Sequence, residues 1–145
     1  MSEKNTTIVE ILDTFEFLDD WEERYKYIID LGKKLLPLAP EEMTDTYKVR
    51  GCQSQVWLVP MVDNEGRIHL RGDSDAFIVK GLVAVMLSIF SGKTAAEIKA
   101  IDAKAILGQL GLESHLSPMR ANGLFSMVQR IQAIAEENPV LPEQL

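Results

Sequence analysis

Residues 49–57 read "VRGCQSQVW", and they hold the one cysteine of the 145-residue chain, Cys52. A structural cysteine usually has the apolar flanks of a strand or helix. Here Gly51 precedes it, Gln53, Ser54 and Gln55 follow, and Lys48 and Arg50 lie just upstream. Free cysteine is among the most buried residue types, which favours a packing role. Three features pull the other way. Gly51 permits a positive φ, the backbone state of a sharp loop that presents a side chain. Lys48 and Arg50 bring positive charge, which favours the nucleophilic thiolate over the thiol. The polar residues offer hydrogen bonds where a core would hold hydrocarbon. At this level Cys52 is either a filler or a reactive sulfur.

Arg120 is the second unusual residue. It falls in the first turn of the last predicted helix, where the positive end of the helix dipole disfavours a cation. A surface salt bridge would account for it, and so would an anionic group or partner that it serves. "ANG" (Ala121 to Gly123) follows directly. A glycine inside a helix costs about 1 kcal/mol relative to alanine, which points to a close backbone approach there. "RGDSDA" (Arg71 to Ala76) contains an RGD tripeptide, but at a strand end in a chain expected to be cytoplasmic it reads as a chance match. Ser74 or Asp75 is explained as a helix cap.

Several chemistries lack their residues. There is no phosphate-binding loop and no dinucleotide fingerprint, and His69 and His115 stand in neither an HExxH nor a CxxC…H spacing. A zinc or iron–sulfur centre would need a second soft ligand beside the single cysteine. One cysteine forms no internal disulfide, which agrees with a reducing compartment.

The formal charge is −7, with 22 acidic and 15 basic residues and no basic run longer than two. Nucleic-acid binding needs clustered Lys and Arg, so DNA and RNA are not expected partners. The longest apolar run, "AFIVKGLVAVMLSIF", covers 15 residues with a lysine inside, short of the ~20 that span a bilayer. It reads as a buried helix, and no membrane role is expected. The opening "MSEKNTTIVEILD" has no basic region followed by an apolar run and is too acidic for a transit peptide. A cytoplasmic protein of one domain, residues 1–145, is the expectation. A chain of this size with 46% hydrophobic residues buries enough surface for a core of its own.

The elements that must position these residues follow from periodicity. Ile8, Ile11, Leu12 and Phe15 mark one helical face. A second helix starts after Asp19–Asp20, carries Trp21, Tyr25, Ile28 and Ile29, and ends at Gly32 or Pro37. "PLAPEEMTDTYKVRG" reads as loop or turns. "QVWLVPM" and "GRIHLRG" read as a β-hairpin around "VDNEGR", joined by a third strand from "TDTYKVR"; Pro60 suits an edge or a bulge. Beyond it, the apolar helix ends at Ser91–Gly92. "TAAE" is a capping box, Asp102 caps a helix through Leu107, and Ser117 with Pro118 opens the last helix. Leu124, Met127, Val128, Ile131 and Ile134 line one face of that helix. Helices around one hairpin make an α+β fold.

Taken together, "VRGCQSQVW", "GDSDAFIVKGLVAVMLSIFSG" and "HLSPMRANGLFSMV" resemble the SufE family of sulfur acceptor proteins, including its CsdE branch, over nearly the whole chain. The resemblance implies a small antiparallel sheet packed by helices, similar to iron–sulfur scaffold proteins. It implies that Cys52 takes persulfide sulfur from a cysteine desulfurase, stimulates that enzyme, and delivers the sulfur to an iron–sulfur scaffold. The chain itself would hold no cofactor, because the pyridoxal phosphate belongs to the desulfurase. Arg50, Gly51, Gln53, Asp75 and Arg120 carry over as residues of the Cys52 loop or the partner surface. A persulfide open to the cytosol would be lost to other thiols. The expectation is therefore a pocket closed over Cys52 in the free protein, with the Gly51 loop providing the motion that opens it. Two other readings compete. One is a cysteine hydrolase with His69 or His115 as base. The other is an interaction module in which Cys52 only packs.

Overall fold

The computed structural model describes residues 6–138, so residues 1–5 of the opening stretch lie outside the described residues. Two helices come first, α1 (Ile8–Phe17) and α2 (Trp21–Lys33). Each starts where a short polar side chain satisfies a free backbone N–H. Thr7 forms a capping box with Glu10, and Asp20 accepts from the N–H of Glu23. An irregular segment with a 3-10 turn at Pro40–Glu42 leads to the hairpin of β1 (Val56–Val62) and β2 (Arg67–Ser74). Next come α3 (Phe77–Phe90), the two-residue β3 (Lys93–Thr94), α4 (Ala95–Ala100), α5 (Ala103–Leu110), α6 (Leu112–His115) and α7 (Pro118–Glu137). The predicted caps Thr94, Asp102 and Ser117 all accept the backbone N–H three residues on.

The sheet is antiparallel in the order β1-β2-β3. Its hairpin turn is the predicted one. The Asp63 carboxylate accepts from the N–H groups of Glu65 and Arg67, and Gly66 takes a φ of +78°. Val56, Leu58, Ile68 and Leu70 face the helices, and Trp57 and Val59 face the other way, against Leu38 and Tyr47. The third strand differs from the expectation. "TDTYKVR" contributes only a bridge between Lys48 and Trp57, with Leu58 N–H donating to Tyr47 O and Val49 N–H to Val56 O. Positive φ at Gly51 then turns the chain out of the sheet. The third strand is Lys93–Thr94, on the opposite side of β2. Pro60 therefore sits on an outer strand, as its missing N–H requires.

The apolar run of the sequence is the centre of the core. Leu82, Val83, Val85, Met86, Ile89 and Phe90 of α3 are each at most 1% exposed. Helix α2 crosses α3 at bare backbone. A Cβ on Gly81 would collide with the Ile28 carbonyl, and one on Gly32 would meet Gly81 N at 2.6 Å. The expected end of α2 at Gly32 is met to within one residue, since the helix closes at Lys33, and Gly32 also serves the close crossing. The expected cap of α3 shifts. The cap position is Ala76, which has no side-chain cap; Ser74 Oγ accepts from the Ala76 N–H, and Asp75 is turned toward the Cys52 loop. Among the described residues, no helix is long and apolar enough to cross a membrane.

Candidate functional site

Cys52 stands on a loop, residues 50–55, that returns on itself. Val49 is 2% exposed and anchors one end in the core, and its N–H bonds Val56 O across the base at 2.8 Å. At the far end, Gln55 and Asp75 bond each other through backbone and carboxylate, which ties the loop to the start of α3. Gly51 has a φ of +90°, and a Cβ there would lie 2.5 Å from Ser126 Oγ on α7. The positive φ strains any other residue here, and a Cβ would also displace the Ser126 hydroxyl, so glycine suits the loop where it lies flat on α7.

The thiol points inward. Cys52 Sγ donates to the carbonyl of Gly123 at 3.5 Å, and a cavity of ≈ 60 Å³ opens beside it. Its walls are Val79 and Leu82 from α3, Met119, Arg120, Gly123 and Met127 from α7, and Gln53 and Ser54 from the loop. That is room for one or two water-sized groups, each taking roughly 30 Å³. Cys52 is half-buried, and loss of solvation pushes its thiol above the ordinary cysteine range. The expected thiolate bias from Lys48 and Arg50 is thus overturned in the free protein. Burial, and not either cation, sets the direction, so the resting sulfur is held as a thiol.

The residues singled out in the sequence are distributed as follows. Cys52, Gln53 and Arg120 line the same cavity, with Gly51 beneath the loop and Asp75 at its clamp. Arg50 is exposed on the loop and does not line the cavity. Among the chain's six arginines, four are engaged. Arg24 donates to the carbonyls of Phe15 and Leu18, while Arg67, Arg71 and Arg130 pair with Glu97, Glu42 and Glu137. The guanidinium groups of Arg50 and Arg120 have no such partner among the described residues. The expected surface salt bridge of Arg120 is absent there, and its backbone N–H goes to Ser117 Oγ. Periodicity does not reveal the cavity walls. Val79 and Leu82 have only core spacing, and Gly123 is the one signal that something approaches α7.

The histidines are used elsewhere. His69 Nε2 lies 2.8 Å from Asp63 Oδ2 in the hairpin, and His115 stacks on Trp21 at 3.9 Å with Nδ1 3.0 Å from Gly111 O. Neither lines the cavity of Cys52. Among the described residues, no group of three or more His, Cys, Asp or Glu could hold a metal ion. The RGD tripeptide is structural. Arg71 pairs with Glu42, Gly72 lies against Val83 and Leu58, and Asp73 pairs with Lys80 at 3.2 Å.

Known proteins share both the sequence and the fold. A family model described as an iron–sulfur metabolism associated domain, SufE, matches residues 9–135. An uncharacterized SufE-like protein of Rhizobium meliloti (strain 1021) is 51% identical over 134 residues, 90% of this chain and 96% of that protein. A second, from Rhizobium etli, is 52% identical over 130 residues, 88% of each. The solution structure of a hypothetical protein from Thermus thermophilus has the same fold. Its TM-score is 0.72 at 22% identity, over 90% of this chain and 94% of that one.

Proposed function

This chain belongs to the SufE family, whose domain is associated with iron–sulfur metabolism, and from that premise we propose that Cys52 accepts persulfide sulfur from a cysteine desulfurase and passes it toward iron–sulfur cluster assembly. The observation that carries the reading is the placement of a solitary thiol at a sulfur-sized cavity, walled in part by apolar side chains, beneath a self-closed loop. The family carries sulfur without a cofactor of its own, and pyridoxal phosphate is the desulfurase's.

The transfer is a thiol exchange. With the loop swung out, Cys52 regains water, which lowers the cost of its thiolate. The thiolate attacks the terminal sulfur of the desulfurase persulfide. One S–S bond forms on Cys52, the donor's S–S bond breaks, and the donor cysteine leaves as thiolate. The proton given up by Cys52 goes to solvent, and no net oxidation occurs. Return of the loop then shields the persulfide from other thiols. Arg50 and Arg120, exposed beside the loop, supply the contact for a carboxylate-bearing partner. Delivery to an iron–sulfur scaffold in the cytoplasm follows by a second exchange.

The test mixes the protein with a cysteine desulfurase and free cysteine and measures intact mass. Gain of one sulfur atom on the wild type, and none on Cys52→Ser, is the expected result; no gain on either ends the reading. The packing-only reading draws on one observation, the burial that raises the thiol. It requires Cys52→Ser to stimulate the desulfurase as well as the wild type does. The hydrolase reading has no base within the cavity.

A further inference from the structure

Gly123 is buried inside α7, yet neither its backbone nor its helix asks for glycine. Its φ is not positive, and glycine is among the poorest residues for a helix interior. What it faces is the sulfur. A Cβ on Gly123 would lie 3.5 Å from Cys52 Sγ and 3.8 Å from both Cys52 Cα and Cβ. These are ordinary van der Waals contacts, so alanine fits beside the thiol. The methyl would, however, take space from the ≈ 60 Å³ cavity that begins at the same sulfur. A methyl group is about the size of a water molecule, roughly 30 Å³. Alanine would leave the thiol its place and narrow the cavity that Gly123 lines beside it.

We propose that Gly123 is a positioning residue for the stored sulfur. Its missing side chain leaves the volume in which the terminal atom of a Cys52 persulfide rests while the loop is closed. The inference rests on the sulfur-carrier reading above and goes beyond it by giving the cavity an occupant and a residue that reserves its space. Part of the remaining wall suits that occupant. Val79, Leu82 and Met127 are apolar, and a polarizable sulfur packs well against such groups. With alanine at 123, the persulfide form crowds the closed loop and shifts it outward, where small thiols reach the terminal sulfur. The thiol form is not crowded and keeps the loop closed.

The experiment uses the full chain, wild type and Gly123→Ala. Each is loaded with a cysteine desulfurase and free cysteine, freed of both, and exposed to glutathione while intact mass is followed. In the discharge, glutathione thiolate attacks the terminal sulfur, the S–S bond to Cys52 breaks, and Cys52 leaves as thiolate. The loaded fraction of Gly123→Ala is expected to lose its sulfur about tenfold faster, the factor that about 1.4 kcal/mol of crowding produces. In the unloaded proteins, alkylation of Cys52 by iodoacetamide is expected to agree within about twofold, and the melting temperature of the variant is not lowered. A variant that takes no sulfur, while its thiol is alkylated normally and the wild type loads, is the extreme of the same result. Equal discharge rates overturn the inference and leave the carrier reading standing. So does a thiol alkylated as much faster as the persulfide is discharged, because the loop would then have opened without regard to the stored sulfur. No loading of either protein overturns the carrier reading and this inference with it.

Discussion

Asp75 holds Gln55 from both sides: its carboxylate Oδ1 accepts the Gln55 N–H at 3.0 Å, and its own N–H donates to the Gln55 carbonyl at 3.3 Å. This pair fastens the far end of the Cys52 loop to the first turn before α3. Asp75→Ala removes the charged half of the clamp and leaves the backbone half. The clamp is exposed, so the loss is about 1 kcal/mol in denaturant unfolding. Iodoacetamide should then label Cys52 about fivefold faster. Labelling at the wild-type rate would mean that the clamp does not hold the loop.

The raised thiol makes a pH prediction with a definite sign. The folded protein binds the Cys52 proton more tightly than the unfolded chain does. The stability this contributes is present below the ordinary cysteine value and is lost as pH rises through the raised one. From about pH 8 to about pH 10, around the ordinary cysteine value, the wild type should therefore lose stability faster than Cys52→Ser, in which the titrating group is gone. Parallel unfolding curves across that range would show that burial leaves the thiol untouched.

Arg50 and Arg120 have no ion-pair partner among the described residues of the free protein, so replacing them should leave the fold as it is. Arg120→Ala and Arg50→Glu are expected to melt with the wild type. Stimulation of a cysteine desulfurase should weaken about tenfold for the charge reversal and less for the alanine variant, and the wild-type stimulation should fall as salt is added. Unchanged stimulation by both variants would remove the two arginines from the partner surface.

Two glycines should respond oppositely to the same substitution. In Gly81→Ala the new Cβ collides with the Ile28 carbonyl, and helices packed backbone to backbone have little room to part. A loss of about 3 kcal/mol is expected. In Gly108→Ala nothing lies within 4 Å of the new atom, and a gain of up to about 1 kcal/mol is expected for the helix. Thermal unfolding of the two variants checks both signs.

Local rules carried the reading of the sequence as far as local rules reach. Helix starts at Asp20, Thr94, Asp102 and Ser117 were legible because a capping side chain acts within its own turn. The hairpin was legible because Asp63 and Gly66 build its turn between two β-rich runs. Errors came where a residue answers to a distant partner. Asp75 looked like a cap, yet its carboxylate is turned to Gln55, 20 residues back. Lys48 and Arg50 looked like activators of the thiol, but charge adjacent in sequence says nothing of the desolvation imposed by α3 and α7. The position of Cys52 was readable from its neighbours and a pocket over it was expected, but the residues that wall it, Val79, Leu82 and Met127 among them, were not.

Pro60 has a consequence for the molecule among its own copies. On the side away from β2, the Val56 carbonyl already accepts from Val49 and the Leu58 N–H already donates to Tyr47. The next donor on that side would belong to residue 60, and proline has none. A strand from a second chain could not zip along this margin without leaving a carbonyl unanswered, so the outer rim is a poor template for runaway sheet growth. Met61 and Val62 are exposed beside that gap, so the interruption falls next to the most apolar part of the rim.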